Sequence, residues 1–331
     1  MDMSQRIVRL GTILLVLFLV LSGFCLYIPF AGGRTDRFRT GQVLVRRCRR
    51  LLPAYYTSLA FVLALNIGAG VWLGFAALSP TEAAKQVVAH ALLIHPLFPT
   101  TFYTLNGAYW SLGLEWQLYL TLPLLVWGIR KFGIRRTVSA AVMCNVLYGI
   151  ALGLVVHDGM IPQNSALATV VLPNQLPGRW AEFAFGMVAA ELYATGQIRR
   201  WAPRAWWVIP VLAPVSVLIS GWPLSHIVYG AMFACVLSLV LASDNMLSKV
   251  ARWKPLVIIG TMSYSLYLVH QPIVQALAYV LATHAHISAQ QTFVVIVGLL
   301  PLILFVAWIL FYTVERHTLT SSRRPSRAIA R

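Results

Sequence analysis

Negative charge is what this sequence has least of: 9 Asp and Glu among 331 residues, against 26 Lys and Arg. Charged residues of both signs make up 11%, where an ordinary soluble domain carries about 25%. The length would allow two soluble domains, but so little polar surface could not keep them dissolved. Cysteine is sparse as well. Cys25, Cys144 and Cys235 fall in apolar stretches and Cys48 among arginines, with no metal-ligand or disulfide-framework spacing. They read as small buried apolar side chains. Missing too are a phosphate loop, a zinc motif, a Ser-His-Asp order, a nucleotide fold and any internal repeat. What is present is 59% hydrophobic residues and a mean hydropathy of +0.75. A net charge of +17 can signal nucleic acid. Here the hydropathy assigns it to membrane topology instead, and no nucleic-acid partner is expected.

The expected fold class is therefore all-α, a polytopic transmembrane helix bundle. A span needs about 20 mostly apolar residues. Nine segments qualify: 10–30, 53–78, 108–129, 135–157, 178–196, 203–221, 224–242, 256–282 and 291–314. A further apolar stretch, 83–98, is shorter and interrupted by Lys85, His90, His95 and Pro96. Five clusters hold 22 of the 26 Lys and Arg, at 34–50, 130–136, 199–204, 249–254 and 316–331. All five fall on one side if 83–98 does not cross. Basic loops stay cytoplasmic, so 83–98 reads as a short non-spanning helix within an outer loop of about 79–106. The expected domains are a membrane domain over 1–315 and a disordered, basic cytoplasmic tail over 316–331. This topology places Met1 outside, with Arg6 and Arg9 translocated, and one further span upstream, ten in all, would remove that conflict.

Ionisable groups inside a bilayer are functional candidates by default. Glu115 lies roughly 10 Å below the outer end of its span, at 1.5 Å per residue. Ser111, Glu115 and Tyr119 recur at i, i+4 and i+8, one face of a helix, which must look toward the bundle or a wet cavity. A second constellation is Arg46-Arg47-Cys48-Arg49-Arg50-Leu51-Leu52-Pro53-Ala54-Tyr55-Tyr56. Pro53 suits the first turn of a helix, which would leave the arginines at the inner surface. Guanidinium forks match phosphate, yet the motif alone favours anchoring and lipid head-group contact over an anionic ligand. Ser263, Tyr267 and His270 form a third polar face. Arg179 and Glu182 are spaced to pair, as a structural rather than a catalytic pair, and Glu315 is placed to meet loop arginines. His90 and His95 read as solvated or interfacial.

Read in order, these segments resemble the acyltransferase family 3 membrane proteins, bacterial O-acyltransferases of surface and secreted glycans. Phe18-Leu19-Val20-Leu21-Ser22-Gly23-Phe24 resembles the family's second span, and Arg47-x-x-Arg50-Leu-x-Pro-x-Tyr55 its Arg-x-x-Arg motif. Trp110-Ser111-Leu112-x-x-Glu115, with Tyr119 and Pro123, resembles the central Trp-Ser-Leu-x-x-Glu segment. Ser263-Tyr264-Ser265-Leu266-Tyr267-x-x-His270 and Tyr312-x-Val314-Glu315 resemble the last two. The resemblance implies an acyl-CoA donor, most often acetyl-CoA, bound from the cytoplasm with Arg47 and Arg50 near its phosphates. It implies transfer to a hydroxyl of a glycan or glycoside, with the central catalytic carboxylate at Glu115 and no metal. It also implies a multi-pass protein of the bacterial cytoplasmic membrane with its C-terminus inside. Ser111, Tyr119, Ser263, Tyr267 and His270 are then the substrate or supporting polar face.

The family's first span carries a histidine base, about ten residues after a basic residue. No such segment precedes Phe18, so the chain reads as N-terminally incomplete, through a late start codon or a true truncation. Two other functions stay open at this stage: a catalytically inactive relative and a transporter-like protein. A transporter more often shows broken helices in two matching halves, and the sequence shows no such symmetry.

Overall fold

The computed structural model describes residues 3–33, 40–72, 79–219, 224–242, 245–283 and 289–322. Among them there is helix and turn but no strand. The helices are α1 (Met3–Tyr27), α2 (Thr40–Trp72), α3 (Pro80–Ala91), α4 (Tyr109–Phe132), α5 (Ile134–His157), α6 (Trp180–Ala194), α7 (Ile198–Leu218), α8 (Ser225–Ala242), α9 (Met246–Ala251), α10 (Lys254–Thr261), α11 (Ser263–Thr283), α12 (Ala289–Gly298), α13 (Leu300–Leu310) and α14 (Arg316–Ser322). The all-helical class stands.

Among the described residues, four helical stretches are by themselves long and apolar enough to cross a membrane: Tyr109–Phe132, Ile134–His157, Ser225–Ala242 and Leu300–Leu319. The pair α10 and α11 adds a fifth only if its two arms, bent by 73°, make one span. The nine spans expected from the sequence are thus not all reproduced as separate qualifying helices. Several expected segments fall short for visible reasons. Over 178–196 the helix α6 has only 15 residues, and the apolar part of α1 is Ile13–Tyr27. Helix α7 carries Pro203, Pro210 and Pro214 inside it, together with three arginines at its start. Residues 73–78, at the end of the expected span 53–78, lie outside the described residues, as do 34–39 of the first basic cluster.

The chain divides into two compact units. The first comprises Met1–Val43 and Leu114–Trp253. Within it α1 packs on α6 and α8, α6 on α5 and α8, and α8 on α7. Glycine sets the approach of α1 and α6. A Cβ on Gly23 would collide with the Phe183 carbonyl, and one on Gly186 with the Val20 carbonyl and, at 2.8 Å, the Phe24 nitrogen. Small residues permit such backbone contact between membrane helices. Gly186→Ala should therefore lower stability by about 1–3 kcal/mol, the usual range for overpacking. Thermal unfolding in detergent micelles checks it, and an unchanged melting temperature would mean that the helices separate freely.

The second unit comprises Leu44–Gly113 and Lys254–Arg331, with α11 packed on α10, α12 and α13. Pro53 does not open a helix here. Helix α2 begins at Thr40 and carries Pro53 inside it, so Arg46, Arg47, Arg49 and Arg50 stand on the same helix rather than on a preceding loop. Having no N–H, Pro53 cannot bond the Arg49 carbonyl.

The non-spanning helix is α3. Ser79 caps it by accepting from the Glu82 N–H at 3.2 Å, and Pro80 occupies its first turn, as expected at a helix start. Its 12 residues extend about 18 Å, against a hydrocarbon core of about 30 Å. The tail is not irregular throughout: Arg316–Ser322 is helical, with the Arg316 guanidinium 3.9 Å from the Tyr312 ring centroid. Residues 323–331 lie outside the described residues. The cysteines are free and less buried than expected, with Cys25 exposed and Cys48, Cys144 and Cys235 half-buried. Lipid-facing surface needs no polar cover, so an apolar thiol there carries no penalty.

Candidate active site

In the first unit the structure gathers hydroxyls around Glu115. The carboxylate is 5% exposed. Its Oε1 accepts hydrogen bonds from the Ser22 hydroxyl of α1 and the Tyr119 hydroxyl one turn further along α4. Two neutral donors on one oxygen stabilise negative charge there without cancelling it. The Glu115–Tyr119 pair is legible from helical spacing. Ser22 is not, because it comes from 93 residues away; its one sequence signal is its place in the Leu-Ser-Gly-Phe segment. Helix α4 ends where Gly133 takes φ +81° and its N–H bonds the Ile129 carbonyl at 2.9 Å. Arg130 and Lys131 in the last turn complement the helix dipole.

The same unit holds the Arg179–Glu182 pair. Arg179 Nη1 donates to Glu182 Oε1 at 3.2 Å, while Nη2 and Nε reach Asn174 Oδ1 at 2.7 and 3.2 Å. Both residues are buried, Glu182 completely. The pairing agrees with the sequence reading, and Asn174 is the added partner that orients the guanidinium.

The remaining residues of the predicted polar face lie in the second unit. The Ser111 and Tyr267 hydroxyls are hydrogen-bonded, and the Tyr267 O–H also donates to the Ala108 carbonyl. His270 Nδ1 faces the Leu266 and Tyr267 carbonyls at 3.2 and 2.9 Å, and its ring centroid is 5.7 Å from that of Tyr267. Beside them the Tyr109 and Ser58 hydroxyls are 2.6 Å apart. Ser58 donates to the Leu268 carbonyl at 3.2 Å and Asn106 Nδ2 to the same oxygen at 2.9 Å. Ser263 does not join this face. It is exposed, because the break at Met262 turns the start of α11 outward. Ser265 is the buried serine of that motif. Its N–H and hydroxyl donate to Glu315 Oε2 at 3.2 and 2.6 Å.

Glu315 is delivered by the π-helical turn Phe311–Glu315, a local widening often found at functional positions. The positive charge of Arg50 acts on the same carboxyl. The Arg50 backbone carbonyl accepts from the Thr318 hydroxyl at 3.3 Å. Arg47 and Arg50 are both half-buried, so the predicted donor-binding arginines are partly withdrawn from water, with Arg50 beside an acidic partner.

His90 and His95 are a correction. They are not solvated: both are fully buried, with rings stacked at 4.2 Å and 7°. Leu93 makes this possible. It follows α3 in the left-handed conformation (φ 57°), its N–H bonding the His90 carbonyl at 3.0 Å, and it folds the chain back so that His95 lies over His90. The His90 carbonyl also accepts from the Tyr55 hydroxyl at 3.0 Å. His90 Nδ1 faces the Gln86 carbonyl at 2.9 Å, and the backbone of Thr104 also acts on His90, as the backbones of Tyr109 and Ala89 do on His95.

Burial, then the neighbouring His90, pushes His95 down to about 3, and burial likewise lowers His90. Both rings are thus neutral in the folded chain. A depressed histidine adds stability that is present above its unfolded value of about 6.5 and is lost as pH falls toward the folded value. Acidification from pH 7 to pH 5 should weaken the packing of 79–106 by about 2 kcal/mol through His95 alone, from 1.5 pH units at 1.36 kcal/mol each. Lower amide protection over 86–96 at pH 5 than at pH 7, after correction for the slower intrinsic exchange, is the expected reading, and the difference is abolished in a His90→Phe, His95→Phe double variant. Equal protection at both pH values would contradict it.

The Acyltransferase domain family, acyltransferase family 3, matches residues 2–312. The chain belongs to this family. Acyltransferase MdmB of Streptomyces mycarofaciens is 27% identical over 290 residues, covering 80% of this chain and 68% of that protein. No solved structure matches. Acyl transfer is accordingly the activity class of this acyltransferase, and its apolar helices make it a membrane protein.

Proposed function

We propose that this acyltransferase moves an acyl group, acetyl foremost, from acyl-CoA to a hydroxyl of a cell-surface or secreted glycan or glycoside. The observation that carries the reading is Glu115, a buried carboxylate with two hydroxyl donors on one oxygen, within a chain of the acyltransferase family. Glu115 would orient the acceptor hydroxyl and take its proton as the oxygen attacks the thioester carbonyl. The new ester bond forms, the carbon–sulfur bond breaks, and the proton returns to the departing thiolate. A positioned base of this kind contributes about 10²–10⁴-fold.

Arg47 and Arg50 are assigned to the donor's phosphates, with Arg50 close enough to Glu315 for its charge to act on that carboxyl. Ser111, Tyr267 and His270 support the second polar centre. Family resemblance and the one-sided basic clusters support nine spans in the bacterial cytoplasmic membrane with the C-terminus inside. Donor-dependent acetylation in membrane vesicles bearing the full chain tests the reading. Arg47→Ala should raise the KM for acetyl-CoA by about tenfold, the equivalent of about 1.4 kcal/mol, with little change in kcat. An unchanged KM removes Arg47 from the donor site, and glycan uptake without any acyl donor would replace the enzyme reading with transport.

A further inference from the structure

Helices α5, α6, α8 and α7 of the first unit pack in that spatial order. They enclose a cavity of about 860 Å³, within the range of pockets that hold whole small ligands. Helices α6 and α8 form its floor through Val188, Leu192, Ala231 and Ala234, and α5 and α7 form its walls. The wall residues Arg135, Ser139, Trp201, Arg204 and Val208 are exposed, so the cavity opens sideways between α5 and α7, two helices of a membrane protein. One end is polar because α5 and α7 begin there and α6 and α8 finish there, which brings Arg135 and Arg204 to the same rim. Arg204 stacks on the Trp201 ring at 5.0 Å, and Arg135 forms no ion pair among the described residues. The acidic residue of the lining, Glu191 of α6, is turned to other donors: its Oε2 accepts from the Tyr27 hydroxyl and the Gly32 N–H, each at 3.1 Å.

We propose that this cavity is a site for an anionic phospholipid, with the phosphate on Arg135 and Arg204 and the acyl chain on the apolar floor. Guanidinium pairs match phosphate oxygens in charge and geometry. Basic pockets between membrane helices are the form that head-group sites take. The lateral opening admits a chain from the bilayer, whereas an aqueous ligand needs an opening to water. The donor arginines Arg47 and Arg50 are not among the residues that line this cavity.

Native mass spectrometry of the full chain, released from nanodiscs containing equal phosphatidylglycerol and phosphatidylcholine, tests the proposal. Phosphatidylglycerol should be retained preferentially. Arg135→Ala with Arg204→Ala should weaken that retention about thirtyfold, while Arg199→Ala with Arg200→Ala, which removes equal charge outside the cavity, should leave it unchanged. Addition of coenzyme A should not displace the lipid. Equal retention of the two lipids by the wild-type chain would overturn the proposal without recourse to any variant. So would a loss equal in both double variants, which means bulk charge, and displacement by coenzyme A, which makes the cavity a donor site.

Discussion

Glu115→Gln should reduce acyl transfer by about 10²–10⁴-fold, the contribution of a positioned proton acceptor. The amide is nearly isosteric, and its oxygen can still accept from the Ser22 and Tyr119 hydroxyls that converge on Glu115 Oε1. What it loses is the negative charge and the capacity to take a proton. The variant should therefore insert and unfold like the wild type and bind acetyl-CoA with a similar KM, the loss falling on kcat. Tyr119→Phe and Ser22→Ala each remove one donor from the carboxylate and should show smaller losses of the same kind. Full activity in Glu115→Gln would move the chemistry to the second polar centre, around Ser111, Tyr267 and His270.

Arg179→Ala carries the second large effect, and it acts on stability. Glu182 is fully buried, its Oε1 takes the Arg179 Nη1 at 3.2 Å, and its Oε2 has no hydrogen-bond partner among the described residues. Removing the guanidinium strands a buried carboxylate and should cost about 3–5 kcal/mol. The partner change Glu182→Gln, made together with Arg179→Ala, removes the stranded charge and should recover much of that loss. Thermal unfolding of the two variants in one detergent separates the cases. Equal destabilisation by the single and the double variant would mean that packing, not charge, holds this junction of α6.

The residues that were legible in the sequence share one property: their signal is local. The apolar runs of α4, α5 and α8 give their own boundaries, since a helix that faces lipid needs nothing but length and hydropathy. Glu115 with Tyr119, and Arg179 with Glu182, are neighbours on a single helical turn, so spacing alone pairs them. What spacing cannot show is a partner from elsewhere in the chain. Ser22 reaches Glu115 across 93 residues. Glu315 reaches Ser265 across 50, and that bond accounts for the break in the segment read as one span over 256–282. In a continuous helix the Ser265 N–H would go to the Thr261 carbonyl; here it goes to Glu315 at 3.2 Å, and the helix is bent by 73° just before it. The buried histidines escaped for a related reason. A short apolar stretch with two histidines reads as interfacial until a leucine at positive φ folds it back on itself. Glycine is the usual residue for that conformation, so Leu93 gives no warning of it.

The central claim is tested most directly by following a labelled acyl group. Vesicles bearing the full chain would be supplied with acetyl-labelled acetyl-CoA and a glycan acceptor, and the acceptor recovered and treated with hydroxylamine, which cleaves oxygen esters. The predicted result is donor-dependent label on the acceptor, released by hydroxylamine and absent from vesicles bearing Glu115→Gln. Label that remains on the acceptor after hydroxylamine, or that accumulates equally in the Glu115→Gln vesicles, would contradict O-acyl transfer at Glu115.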